Sequence, residues 1–183
     1  IHRGKLFKIL RAYGVPQKIV DLIKLMYKNT KARVVTPDGE TTLFDILAGV
    51  LQGDTLAPFL FVIVVDYCMR VALGDDGDSL GLTIKPRQSR RHPAVKVTDA
   101  DFADDIALLS DQMDQAQELL RRLEISAESV GLHMNTKKTK AIVYNQDTST
   151  PLTSKAGETI EIVPDFVYLG AWINSSERDI KIR

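Results

Sequence analysis

Asp104 and Asp105 stand side by side in the phrase Phe102-Ala103-Asp104-Asp105. Apolar runs that suit strands, 95–102 and 106–109, lie on either side. Two adjacent carboxylates at such a turn repel each other and lose hydration, so something cationic should compensate them. A hard divalent cation with oxygen ligands meets that need. Aspartate is also a common turn residue, and spacing alone leaves a solvated turn open. A second chemical segment is Gly49-Val50-Leu51-Gln52-Gly53-Asp54-Thr55. Glycines around Gln52 let a ligand approach the backbone closely, and the helix start that follows favours phosphate-like anions. By itself this segment also reads as an ordinary loop with a helix cap. The third is 131–140, Gly-Leu-His-Met-Asn-Thr-Lys-Lys-Thr-Lys, where a lysine could touch phosphate or donate a proton. Alone, it reads as a solvated basic loop.

These segments need a scaffold. Leu6, Ile9, Leu10 and Tyr13 share one helical face, and Ile19, Leu22, Ile23 and Met26 repeat the spacing after Gly14 and Pro16. Residues 33–36 and 41–44 read as a hairpin, with Asp38-Gly39 as its turn. Residues 56–73 are apolar nearly all round, which marks a core helix capped by Thr55 or Asp54. Residues 75–94 form a polar surface excursion, with a short strand expected near 80–84. Arg87 to His92 within it could touch nucleic acid, although charge runs are more often simply solvated. Met113, Ala116, Leu120, Leu123, Ala127 and Val130 then mark a clear helix that Gly131 stops. Strands are expected at 140–144, 160–163 and 166–173, the last with Gly170 inside it.

Composition narrows the class. The chain has 183 residues, 44% hydrophobic and 26% charged, enough for one globular core. Lys plus Arg is 24 and Asp plus Glu is 24. That balance argues against a free-standing basic nucleic-acid binder, but not against a neutral catalytic piece. The single Cys68 excludes a disulfide framework, and no Cys/His cluster suggests structural zinc. Cys68 itself reads as a small buried hydrophobe. His133 has no partner at ligand spacing and reads as a loop residue, and Met26, Met113 and Met134 as core or edge packing. The longest apolar run, 56–65, is far shorter than the roughly 20 residues of a membrane span. The chain starts with Ile1 and closes on 179–183 without an ending signal, which reads as an excerpt.

Taken in order, the segments resemble the palm of a reverse transcriptase of the non-LTR (LINE-type) retrotransposon family. Phe102 to Asp105 is similar to that family's aromatic-Ala-Asp-Asp signature. Residues 49–61 resemble its Gln-Gly, Leu-Ala-Pro, Leu-Phe segment. Gly131-Leu132, Asn135 and Lys138-Thr139-Lys140 resemble its Gly-Leu, Asn, Lys-Thr-Lys segment. Phe166-Val167-Tyr168-Leu169-Gly170 resembles the turn that ends the palm and grips the primer. The family's first catalytic aspartate lies upstream of residues like Ile1-His2-Arg3, so the chain is expected to begin just after it, without the full fingers or the thumb.

The resemblance implies an α/β palm, with a small antiparallel sheet carrying Asp104 and Asp105 and the helices 56–73 and 112–130 packed on one face. It implies RNA-templated DNA synthesis from a DNA primer and deoxynucleoside triphosphates. The cofactor would be two Mg²⁺ ions, with Mn²⁺ as a substitute, held by Asp104 and Asp105. Asp105 ranks second, because neighbouring residues in a strand point to opposite faces. Gly49, Gln52 and Gly53 would line the nucleotide pocket. Lys138 would protonate the pyrophosphate, with Lys140 second and on the substrate side. Tyr168, Leu169 and Gly170 would hold the primer. The protein would be intracellular, in nucleus and cytoplasm as a ribonucleoprotein, with no membrane partner. The 183 residues alone are expected not to polymerise. A different reading is a non-catalytic remnant that binds RNA or protein. A two-metal nuclease is a poorer third, because it leaves Gln52-Gly53 and Tyr168-Leu169-Gly170 unexplained.

Overall fold

The computed structural model describes residues 1–144 and 150–174. It contains four helices, α1 (Arg3–Ala12), α2 (Gln17–Met26), α3 (Ala57–Leu73) and α4 (Met113–Ser129), with short strands between and after them. The expected mixture of helices and small antiparallel pairs is what the chain forms.

The core belongs to the helices. Leu6, Ile9 and Leu10 of α1, Val20 and Ile23 of α2, Tyr27, Leu60, Val64 and Cys68 of α3, and Val130 form one buried cluster. Leu6, Ile9 and Leu10 therefore face inward as expected, whereas Tyr13 of the same spacing lies exposed, and Cys68 is a buried packing residue. α2 is rotated from its expected face. Val20 and Ile23 are buried, whereas Ile19, Leu22 and Met26 lie exposed. The reason is that the apolar face of α2 is broad, running from Leu22 and Met26 through Ile19 and Ile23 to Val20, and packing covers only its Val20–Ile23 edge. α3 packs along α4, where Cys68 meets the backbone of Ser126. Gly131 ends the α4 region with a positive φ, and its carbonyl accepts from the amino group of Ile1. A Cβ there would lie 2.8 Å from the His2 ring. Only glycine permits both the turn and that approach. No described helix is long and apolar enough to cross a membrane.

The strands form separate two-stranded ribbons, among them the small antiparallel sheet expected to carry Asp104 and Asp105. β1 (Lys31–Ala32) pairs with β4 (Phe44–Asp45), and β2 (Val35–Thr36) with β3 (Gly39–Glu40). Their hairpin turns on Pro37-Asp38, one residue earlier than expected, because Thr36 pairs directly with Gly39. β5 (Leu82–Lys85) pairs with β6 (Val95–Val97), and β7 (Asp99–Phe102) with β8 (Asp105–Leu108). β9 (Lys140–Ala141) and β10 (Glu161–Ile162) are parallel. The run 166–173 is a hairpin of β11 (Phe166–Tyr168) and β12 (Ala171–Ile173), not one strand. Leu169 and Gly170 both take positive φ, the backbone of a type I′ turn. A ribbon needs only a local turn, whereas fusing ribbons needs further strands at their edges.

A smaller core joins ribbons to helix. Leu120 of α4 packs with Leu152 and Ile160, flanked by Leu108, Met113, Met134 and Ala141. It gathers the base of β8 and the base of β9 onto α4.

Candidate functional site

The β7–β8 ribbon presents the paired aspartates at its tip. Phe102 pairs with Asp105, which leaves Ala103 and Asp104 as a two-residue turn. Ala103 has φ +56° and Asp104 does not share the positive sign, the pattern of a type II′ turn. Glycine is the usual residue there, and an alanine costs about 1–2 kcal/mol. Such strain tends to collect at functional positions. Asp104 and Asp105 are exposed, and neither carboxylate pairs with a cation among the described residues.

Tyr168 fastens the tip from another part of the chain. Its hydroxyl lies 2.9 Å from the carbonyl of Ala100 and 3.2 Å from that of Asp105, donating across the ribbon. Burial, then the carboxylates of Asp101 and Asp105, push the Tyr168 phenol up. The residue thus stays neutral and able to donate. Of the residues expected to act together, Tyr168 is brought directly to Asp105. Leu169 and Gly170 form the turn just beyond it.

Further acids line the ribbon, with no signal in spacing to single them out. Asp101 pairs with Ile106 two residues before the tip. Although its side chain is exposed, its carboxyl is pushed up to about 6, first by partial loss of hydration beside the neighbouring segments and then by the charges of Asp99 and of Asp66 on α3. Arg70 and Tyr13 hold Asp66 below the usual carboxylate range, so it stays charged. The Tyr13 hydroxyl donates to Asp66 at 2.6 Å. Among the described residues, no three His, Cys, Asp or Glu side chains gather to hold a metal.

The Gly49–Gly53 loop is built from the helical body. Arg3 reaches across 46 residues, donating from Nε to the Gly49 carbonyl at 3.1 Å. Its Nη1 donates to the Tyr27 carbonyl and to Thr30 Oγ1, and the guanidinium lies over the Tyr27 ring. The Tyr27 hydroxyl donates to Asp54 Oδ2 at 3.1 Å, and Asp54 Oδ1 accepts from the Leu56 amide at 3.0 Å. Asp54 thus braces the turn before α3, while neither it nor Thr55 is the expected cap, since the N-cap is Leu56 without a side-chain cap bond. Gly49 and Gly53 both have positive φ, and Gln52 lies exposed between them. The roles of Arg3 and Tyr27 are invisible to spacing, because each acts through tertiary contacts on a distant backbone.

The lysine segment is split by its pairing. Lys140 forms an ion pair with Glu161 across the β9–β10 pair. Lys138 is exposed, and its backbone amide closes a turn on Asn135. The segment's base shares the small core with Leu108, four residues from Asp104 and so about 13 Å from it along the strand.

Comparison with known proteins adds a family. A model described as reverse transcriptase (RNA-dependent DNA polymerase) matches residues 1–173. The chain is 28% identical over 185 residues to the retrovirus-related Pol polyprotein from type-1 retrotransposable element R2 of Nasonia vitripennis, covering 95% of this chain and 17% of that one. It is 28% identical over 138 residues to the Pol polyprotein from type-2 retrotransposable element R2DM of Drosophila melanogaster, covering 75% of this chain and 12% of that one. The R2 Pol polyprotein of Popillia japonica is 31% identical over 107 residues, covering 58% and 16%. The chain thus spans between 12% and 17% of the length of these relatives.

Proposed function

Because the chain belongs to the reverse transcriptase (RNA-dependent DNA polymerase) family, we propose that it is the palm part of an RNA-directed DNA polymerase of an R2-like non-LTR retrotransposon. The reaction joins a deoxynucleoside triphosphate to a primer 3′-hydroxyl on an RNA template and releases pyrophosphate. One observation carries this reading: two uncompensated carboxylates, Asp104 and Asp105, stand at an exposed ribbon tip that Tyr168 pins in place.

Their donor set fits Mg²⁺, being hard oxygen with no competing cation among the described residues. The described residues supply two such carboxylates and no third. Bound there, divalent ions would activate the hydroxyl and neutralise the pyrophosphate. Asp104, in the turn, is the principal ligand, and Asp105, at the strand start, the second. Gln52 and Gly53 line the nucleotide site, where the missing Cβ of Gly53 admits close approach. Lys138 is the proton donor to pyrophosphate, since Glu161 already neutralises Lys140. Tyr168 keeps the ribbon rigid beside the primer, with Leu169 and Gly170 turning against it. The retained Asp104 and Asp105 favour this reading over a non-catalytic remnant. As part of a retroelement ribonucleoprotein the protein would work inside the cell, in cytoplasm and nucleus.

Primer extension on an RNA template by the full-length protein tests the reading. Asp104→Asn should abolish extension while the folded state and duplex binding persist, because the amide keeps the shape and loses the charge. Asp105→Asn should cost less. Extension that survives in Asp104→Asn would remove the site from the reaction.

A further inference from the structure

The strongest feature left unused is the ribbon that immediately precedes the aspartates. Residues 82–98 hold Lys85, Arg87, Arg90, Arg91, Lys96 and His92 and no acid, in a chain whose Lys plus Arg and Asp plus Glu are both 24. We infer that this β5–β6 arm is a contact for the phosphate backbone of the template–primer duplex, a role that rests on the polymerase reading above.

Four observations support it. First, residues 84–95 are all exposed. Second, among the described residues Lys85, Arg87, Arg90 and Arg91 have no carboxylate partner, whereas Arg33, Arg70, Arg121 and Arg122 each pair with one. The arm thus holds three exposed guanidinium groups within five residues, with no carboxylate set against them among the described residues.

Third, the tip is built rather than loose. The amides of Gln88 and Ser89 donate to the His92 carbonyl, at 3.2 and 3.4 Å. The amides of Arg91 and His92 donate to Ser89 Oγ, each at 3.2 Å. Pro86 and Pro93 flank this closed turn and stiffen its approach. Cations held on an ordered turn lose less entropy when they bind.

Fourth, the arm is anchored beside the aspartates. Asp111 accepts from the Thr83 amide at 2.9 Å and from its hydroxyl at 2.6 Å, and pairs with Lys96 at 3.4 Å. Lys96 also donates to the Ser79 carbonyl. The Lys96 charge is thus consumed in positioning, and that of Lys85 and of the tip is not. The Leu109 amide donates to Thr98, the single residue between β6 and β7. Arg91 is seven residues from Thr98 and Thr98 six from Asp104, so the tip lies within about 43 Å of Asp104. A duplex carries a phosphate charge about every 1.7 Å of axis, so a duplex held at Asp104 offers many within that reach. An acidic protein surface would demand complementary shape. A phosphate backbone demands only positive charge in an ordered array, which is what the arm presents.

The test is a salt titration of binding, without divalent metal, between the full-length protein and a fluorescent RNA–DNA template–primer. Wild type is compared with a triple variant Arg87→Gln, Arg90→Gln, Arg91→Gln and with the triple Arg→Lys. Each phosphate contact contributes about 0.7–0.9 to the slope of log affinity against log salt. The glutamine triple should flatten that slope by about 2–3, equally for two unrelated duplex sequences. The lysine triple should restore it, which excludes a folding defect as the cause. A wild-type slope in the glutamine triple overturns the inference and leaves an acidic protein surface as the arm's occupant. Extension by Asp104→Asn, run in parallel, speaks only to the reaction. If that variant extends, the proposed reaction falls and the slope comparison still decides the arm.

Discussion

The helical body and the ribbons obey different physics. In the body, Leu6, Leu10, Leu60 and Val64 are almost wholly buried, and stability comes from area removed from water. In the β7–β8 ribbon, the residues from Ala100 to Asp105 are all exposed. Nothing there resembles a core, and the tip stays in place through its own ladder and one tyrosine hydroxyl. The body also holds the Gln52 loop, through Arg3 and Tyr27, and contributes none of the acids at the ribbon tip. If the ribbon carries the proposed reaction, stability and chemistry belong to separate residues, and substitutions should sort accordingly.

The largest effect should follow loss of chemistry without loss of fold. Lys138→Ala should lower the single-turnover incorporation rate by about 10²–10⁴-fold, the usual contribution of a positioned acid, with little change in nucleotide affinity. Lys140→Ala should disturb the β9–β10 pair and change the rate far less. A rate loss in Lys140→Ala alone would exchange their roles, and an affinity change alone in Lys138→Ala would make it a phosphate tether.

Next comes the reverse, loss of fold with the chemistry intact. Leu60→Ala should cost about 2–5 kcal/mol in chemical denaturation, as core truncations do. The fraction that remains folded at low temperature should incorporate nucleotide at the wild-type rate. A lowered rate in that fraction would show that body and ribbon are mechanically coupled.

Tyr168→Phe probes the seam between the two regions. It removes the hydroxyl that donates to Ala100 and Asp105 and should cost about 0.5–1.5 kcal/mol. The incorporation rate should fall more than duplex affinity does, because the tip is loosened rather than removed. Equal loss of both would identify Tyr168 as a direct primer contact.

The smallest effect concerns Asp101. Its folded-state pKa, near 6, is raised above the unfolded value. Protonation therefore stabilises the fold fully below about pH 4, and this is lost as pH rises through about 6. Asp101→Asn should flatten stability over that window. Since the residue is exposed, the difference should stay below about 1 kcal/mol. A wild type that gains stability from pH 4 to 6 relative to the variant would reverse the sign and deny the crowding of Asp66, Asp99 and Asp101.

What could be read without coordinates was whatever depends on near neighbours. The helices at Leu6 to Tyr13 and Met113 to Val130, the turn at Asp104 and the burial of Cys68 all follow from residues within a few positions of each other. The ordered segments from Gly49 to Gly170 pointed to the family for the same reason, since a motif is a local string. Tertiary structure decided what local strings leave degenerate. The apolar face of α2 is broader than the contact it makes, so only packing could choose Val20 and Ile23 over Ile19, Leu22 and Met26. Asp38-Gly39 is a good turn pair, yet the register of Thr36 with Gly39 moved the turn back by one residue. The run 166–173 is apolar enough for one strand, but consecutive positive φ at Leu169 and Gly170 folds it in two and delivers Tyr168 to Asp105. The link from Arg3 to Gly49, and the approach of Asp66 to Asp101, join residues dozens of positions apart. No periodicity encodes such contacts, because they exist only once the chain has closed on itself and brought distant segments side by side.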